Sequence, residues 1–253
     1  MKLKSKLLLA LLATSSAAFA QTAPAAPEVT YNVGLVSQYR YRGIAQSKGL
    51  PALQGGVDYA NANGAYLGAW ASTIKWIKDS SVEGTSSYSG NTELDLYGGY
   101  KFEATGLNYD VGFLRYQYIG NTLGNDSTFN NANTNEVYAA VTAGAYVFKW
   151  SYALTPLFGA PSTKGSDYLD LTANYDIGGG YTLSPHLGRA FVEGKTAVTP
   201  YNDVSLTLAK DLGNGLTATA AAIVTSAKAS GYYSGSNYNM GKSAIVLGIK
   251  YGF

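Results

Sequence analysis

The chain of 253 residues carries 18 Lys and Arg against 16 Asp and Glu, one histidine and no cysteine; only 13% of it is charged, and Tyr (22), Phe (8), Trp (3) and Gly (30) are heavily used. So slight a charge balance offers no basic field for nucleic acid. A single histidine rules out a metal site of several imidazoles, and the absence of cysteine removes a thiol nucleophile, a thiolate-bound metal and any disulfide framework.

Lys2, Lys4 and Lys6 precede the apolar run Leu7 to Leu12, and Ala18-Phe19-Ala20 supplies small residues at cleavage spacing. Residues 1–20 therefore read as a secretory signal peptide removed near Ala20. Its loss leaves 15 basic residues against 16 acidic ones, so the mature chain is about −1 rather than +2. Residues 21–28 form a short Ala/Pro-rich periplasmic leader. Beyond it no run of about 18 apolar residues occurs, which excludes helical membrane spans. Aromatic and β-branched residues, broken every ten or so positions by Gly, Asn and Asp, instead predict many short strands.

The first strand opens at Val29, with Val29, Tyr31, Val33 and Leu35 on one face and Thr30, Asn32, Gly34, Gln38, Arg40 and Arg42 on the other. The second runs over Pro51–Ala60 and turns at Asn61-Ala62-Asn63-Gly64 into the third, Ala65–Trp76. A Ser- and Gly-rich loop then leads to Thr92–Glu103, Leu107–Tyr118 and the Asn-rich loop Gly120–Asn135. Glu136–Thr142 and the strand after Gly144 follow; in the latter Tyr146, Phe148, Trp150, Tyr152 and Leu154 alternate with Val147, Lys149, Ser151, Ala153 and Thr155. Strands around Leu169–Asp176, Tyr181–Phe191, Asp203–Asp211 and Leu216–Thr225 come next.

The last stretch places Ile245, Leu247, Ile249, Tyr251 and Phe253 at every second position, an apolar face that runs to the terminal carboxylate. Lipid would cover it. This stretch resembles the C-terminal strand of bacterial outer-membrane barrels, which ends in an aromatic residue; the resemblance implies that Tyr251 and Phe253 act as the signal read by the barrel-assembly machinery. Six long loops alternate with five short turns. The fold class is therefore all-β: an antiparallel up-and-down transmembrane β-barrel of about twelve strands, formed by a single domain over residues 29–253 and bathed in outer-membrane lipid, with both termini in the periplasm.

Charges mostly avoid the apolar faces, where Lys or Arg at the bilayer midplane costs roughly 2–4 kcal/mol. The expected lumen lining comprises Arg40, Arg42, Glu93, Asp95, Lys101, Asp110, Glu136, Lys149, Asp170, Asp176, His186, Asp203 and Lys250. Its acids outnumber its bases, which predicts a weak cation preference. Arg115, Arg189 and Lys210 break phase near strand ends, where snorkelling is cheap. The third strand is ambiguous: Tyr66, Trp70, Ile74 and Trp76 form one set, Leu67, Ala69 and Ala71 share the other with Lys75, and the Trp set is the one favoured for lipid. Trp76, Tyr118 and Trp150 suit an aromatic girdle or core packing.

Arg40 and Arg42 read either as a basic patch on passing anions or as partners of a neighbouring acid such as Asp58, with the loop after Arg42-Gly43 extracellular. Gly120–Asn135 is the candidate constriction by length. His186 shares a face with Ser184, but no nucleophile elbow surrounds either, and a lumenal histidine with a hydrogen-bond partner is expected. No catalytic residue, metal or cofactor is assigned.

The stretch Ser37-Gln38-Tyr39-Arg40-Tyr41-Arg42-Gly43-Ile44-Ala45-Gln46, then Lys48 to Tyr59, then Gly64-Ala65-Tyr66-Leu67-Gly68-Ala69-Trp70-Ala71-Ser72, resembles the opening of the TorF-type porins, outer-membrane proteins of Gram-negative bacteria. The likeness is strong over the first quarter of the mature chain and rests downstream on strand spacing and length; no functional residue carries over from it. The expectation is a narrow outer-membrane channel for small polar or charged solutes. The alternatives are a barrel enzyme using His186 and a non-conducting barrel whose loops bind a surface partner.

Overall fold

A computed structural model describes residues 26–81, 87–232, 234–235 and 237–253. The expected signal peptide and residues 21–25 of the expected leader lie outside them. The wall consists of β1 (Glu28–Val36), β2 (Ala52–Ala60), β3 (Ala65–Thr73), β4 (Thr92–Ala104), β5 (Leu107–Ile119), β6 (Thr134–Ala143), β7 (Tyr146–Ala153), β8 (Asp167–Ala173, resuming over Tyr175–Gly178), β9 (Tyr181–Phe191), β10 (Tyr201–Gly213), β11 (Leu216–Thr225) and β12 (Ala244–Gly252). Each strand pairs antiparallel with the next, and β12 pairs with β1, so the sheet closes into a twelve-stranded barrel with no edge.

The closing seam is tied at both ends. Tyr31 N–H donates to the Phe253 carbonyl at 2.8 Å and Phe253 N–H returns the bond to Tyr31 at 3.0 Å. Ser37 N–H donates to the Leu247 carbonyl at 2.7 Å, and its hydroxyl accepts from Leu247 N–H at 2.9 Å. The Phe253 ring stacks on Tyr31 at 5.7 Å and on Tyr251 at 5.4 Å. Five tight turns and both described ends of the chain occupy one rim, the turn end. Six longer connections occupy the other, the loop end.

Because side chains alternate across each strand, one register decides the whole outer surface. Val29, Tyr31, Val33 and Leu35 of β1, Val204, Leu206 and Leu208 of β10 and Ile245, Leu247, Ile249 and Tyr251 of β12 point outward into a continuous apolar belt. Arg115, Arg189 and Lys210 also point outward, each satisfied beside its strand: Arg115 by Gln117 and Asn135, Arg189 by Asn202 at 2.9 Å, Lys210 by the Gly179 carbonyl.

The third strand departs from expectation. It ends at Thr73 and passes into a one-turn helix, Trp76–Asp79, so Lys75 lies beyond the wall. Leu67 is 60% exposed on the outside, whereas Tyr66 and Trp70 pair with Gly99 and Asp95 and turn inward. The proposed lipid face of this strand is thus its lumen face. Trp76 and Tyr118 take the core-packing reading: their rings meet edge to face at 5.3 Å at the loop end, with Tyr118 buried. Trp150 remains on the outer surface, its indole N–H donating to Asp167 at 2.6 Å.

The buried core lies inside the loop-end half of the barrel, around Tyr39, Tyr41, Ile74, Ile77, Leu114, Tyr116 and Tyr118. Replacing Phe253 by serine removes two ring contacts at the seam, each worth about 0.5–1.5 kcal/mol. The expected result is a smaller fraction of heat-modifiable folded barrel on SDS gels, and an unchanged fraction would separate this ring from closure.

Candidate functional site

Tyrosines meet glycines across the strands of the inner wall. Tyr97 lies over Gly68, Tyr66 over Gly99 and Tyr138 over Gly112, cross-strand partners in which a Cβ on the glycine would fall about as close as 2.5 Å to the ring. A flat ring fills the notch that each glycine leaves and directs its hydroxyl along the wall. Those hydroxyls find carboxylates: Tyr66 donates to Asp110 at 2.6 Å and meets Tyr138, and Tyr97 donates to Asp58. Tyr168 donates to Asp203 at 2.9 Å and Tyr116 to Glu136 at 3.1 Å.

Across the loop-end half of this wall runs a hairpin that the alternation Gln38, Arg40, Arg42 hides. The first strand stops at Val36; Arg40–Tyr41 and Ile44–Ala45 then form a separate two-stranded ribbon with Arg40 opposite Ala45 and Tyr41 opposite Ile44. Its two-residue turn, Arg42-Gly43, has φ of +46° and +76°, as a type I′ hairpin turn requires. Gly43 is doubly constrained, since a Cβ there would stand 2.7 Å from that of Asp203.

The ribbon is held from all round the barrel. Arg42 reaches Glu136 of β6 with two bonds, at 2.9 and 2.8 Å. Tyr41 meets the hydroxyl of Tyr116 on β5, Tyr39 donates to Glu93 of β4 at 2.6 Å, and Ala45 N–H donates to the Met240 carbonyl at 2.9 Å. Arg40, 1% exposed, donates to the carbonyls of Gly43 and Met240. Burial works against the charge on Arg42, but Glu136, Tyr41 and Tyr116 together outweigh it and hold the guanidinium well above its ordinary range. The connection after Arg42-Gly43 therefore folds into the lumen rather than outward, and the acid that pairs with it is Glu136, not Asp58. Gly120–Asn135 instead packs against a neighbouring loop, with Asn130 N–H on the Gly159 carbonyl at 2.8 Å.

The remaining expected lining residues distribute as follows. Glu93, Asp95, Asp110, Glu136, His186 and Asp203 are buried on inward faces. Lys101 lies 5.0 Å from the Tyr66 ring and Lys149 lies 4.0 Å from the Tyr138 ring. Lys250 sits on the inward face of β12, beside β1. Asp176 stands apart at the turn end, exposed, its carboxylate accepting Gly178 N–H at 2.9 Å. His186 is clasped between Asp203 on Nε2, at 3.0 Å, and Asp170 on Nδ1, at 3.3 Å, with Thr172 at 3.1 Å. Ser184 is turned away and donates to Asn174 at 2.8 Å. Among the described residues no group of three His, Asp or Glu side chains could hold a metal ion.

The tyrosines of this network were not singled out in the sequence as site residues. Their signal was available: tyrosine recurs on the polar faces of β3, β4, β5, β6 and β8, where a wet wall would favour smaller residues.

Two solved structures share the architecture. A KdgM porin aligns at a TM-score of 0.51 and 10% identity, over 89% of this chain and 98% of that one. A KdgM porin in complex with disordered oligogalacturonate aligns at 0.52 and 11%, with the same coverage. At such identity the likeness is one of fold. No curated protein matches the sequence. The family of bacterial proteins of unknown function designated Gcw_chp matches residues 20–253, and the chain belongs to that family.

Proposed function

We propose that the protein is an outer-membrane porin of Gram-negative bacteria, a narrow channel for passive diffusion of small polar or charged solutes whose constriction is the hairpin 39–46. The observation that carries this reading is the closed wall itself: a continuous apolar belt outside, which lipid alone would cover, and a polar, hydrogen-bonded face inside. The basic signal-like segment at residues 2–20 supports export, and the aromatic end at Tyr251 and Phe253 supports recognition by the barrel-assembly machinery. The likeness of residues 37–72 to TorF-type porins supports the same reading. The motif of that likeness includes the whole hairpin. In this orientation the loop end is extracellular and the turn end periplasmic.

An enzyme built on His186 finds little support, since both ring nitrogens face carboxylates and the neighbouring hydroxyl of Ser184 is engaged elsewhere. Removing the imidazole would leave Asp170 and Asp203 without it, and breaking such a buried charge cluster costs about 3–5 kcal/mol. His186→Leu should therefore lower the thermal unfolding temperature in detergent while removing no hydrolytic activity. Phospholipase or protease turnover that disappears in this variant would make the enzyme reading the better one.

The channel reading is tested by single-channel recording in planar bilayers. The wild-type protein should give small ohmic steps. Replacing the pair together, Arg42→Ala with Glu136→Ala, removes the bidentate tether without stranding one buried charge, and should raise the conductance at least about twofold as the hairpin loosens. Absence of steps in both proteins would end the porin proposal. Equal steps in both would place the hairpin outside the ion path.

A further inference from the structure

The mature chain's near-zero net charge conceals a separation of the exposed charges along the barrel. At the turn end the exposed charged side chains include Glu28, Glu103, Asp176 and Asp211, while Lys210 is bound to the Gly179 carbonyl. At the loop end Lys75, Lys78, Lys164, Lys195, Lys228 and Lys242 are all exposed. These lysines come from four different connections, those between β3 and β4, β7 and β8, β9 and β10, and β11 and β12, so they spread round the rim instead of marking one loop.

Among the described residues the six lysines outnumber the four acids of the same rim, Asp79, Asp126, Asp167 and Glu193, and Asp79 is neutralised by an ion pair. Asp79 pairs with Lys48 at 3.6 Å, Asp126 accepts the Tyr88 hydroxyl at 2.6 Å, and Asp167 accepts the Trp150 indole at 2.6 Å. Among the described residues Glu193 is the one exposed acid of these loops, and none of the six lysines forms an ion pair. Deeper in, four of the lumen acids that predicted a cation preference are held by partners on the wall or the hairpin: Glu93 by Tyr39, Asp110 by Tyr66, Glu136 by Arg42, and Asp203 by Tyr168 and His186. A solute arriving from the loop end meets lysines before it meets any of these carboxylates.

We infer that the loop rim is an anion-collecting surface that feeds the proposed channel with small carboxylate- or phosphate-bearing solutes. A rim of one sign raises the local concentration of oppositely charged solute and steers its approach, and rings of Lys select for anions and phosphates in pores. Delivery into a channel rests on the porin reading. The collecting surface does not depend on it.

The test uses the full mature chain in neutral detergent and inorganic tripolyphosphate as the probe, titrated calorimetrically at low salt. Saturable binding is expected, weakened about tenfold or more when Lys75→Gln, Lys78→Gln, Lys164→Gln, Lys195→Gln, Lys228→Gln and Lys242→Gln are combined. It should also fade near 1 M salt, where the screening length is about 3 Å. All six positions are exposed on loops, so the variant should keep the heat-modifiable folded band. No binding, or the same affinity in the variant, overturns the inference. In a second measurement, both proteins in planar bilayers under a potassium chloride gradient should show a chloride-preferring reversal potential that moves towards zero in the variant. Conductance with a cation preference would overturn the link to the channel, while lysine-dependent binding without any conductance would overturn the porin reading alone.

Discussion

A sheet closed on itself must fill and hydrogen-bond its own interior, and here the tyrosine side chain meets both demands. Its ring supplies the bulk that a glycine on the adjacent strand leaves out, as at Tyr97 over Gly68 and Tyr66 over Gly99. Its hydroxyl supplies the donor that a carboxylate on the same wall lacks, as at Asp58 and Asp110. An inward acid without such a donor would carry the full cost of desolvation. The glycine positions are as necessary as the rings, because any Cβ there would lift the ring off the wall and carry its hydroxyl away from the acid.

The hairpin is an extension of the same scheme. Tyr39 and Tyr41 bring hydroxyls to Glu93 and Tyr116 from the inside, and Arg42 brings a fork to Glu136. Without that ribbon the loop-end acids of β4 and β6 would face an open lumen. Wall and hairpin are therefore one hydrogen-bonded body, the ribbon fixed at several points instead of hanging as a loose loop.

The barrel itself was legible because its signal is redundant: most strands repeat the alternation, and β12 displays it through to Phe253. The errors arose where a strand pattern continued past the strand. Lys75 beyond Thr73 inverted the face assigned to β3, although Leu67 and Ala69 carried the right answer within the strand. Gln38, Arg40 and Arg42 continued the parity of β1 for six residues after its last ladder pair, and parity alone cannot distinguish a strand that goes on from one that folds back. The Arg42-Gly43 pair was the available clue, being a two-residue turn between short β-prone dipeptides. The partner Glu136 was beyond reach, since nothing in one sequence relates residue 42 to a strand five places round the barrel.

The hairpin lies between the first two strands, yet its anchors belong to β4, β5 and β6 and to Met240 just before β12, with Asp203 of β10 packed close against Gly43. Until those strands are assembled, therefore, the ribbon lacks its full set of partners. Its contacts span the sheet from β4 to the segment before β12, so the full set is present only in the closed barrel. A barrel closed without the ribbon would leave Glu93 without Tyr39 and Glu136 without Arg42.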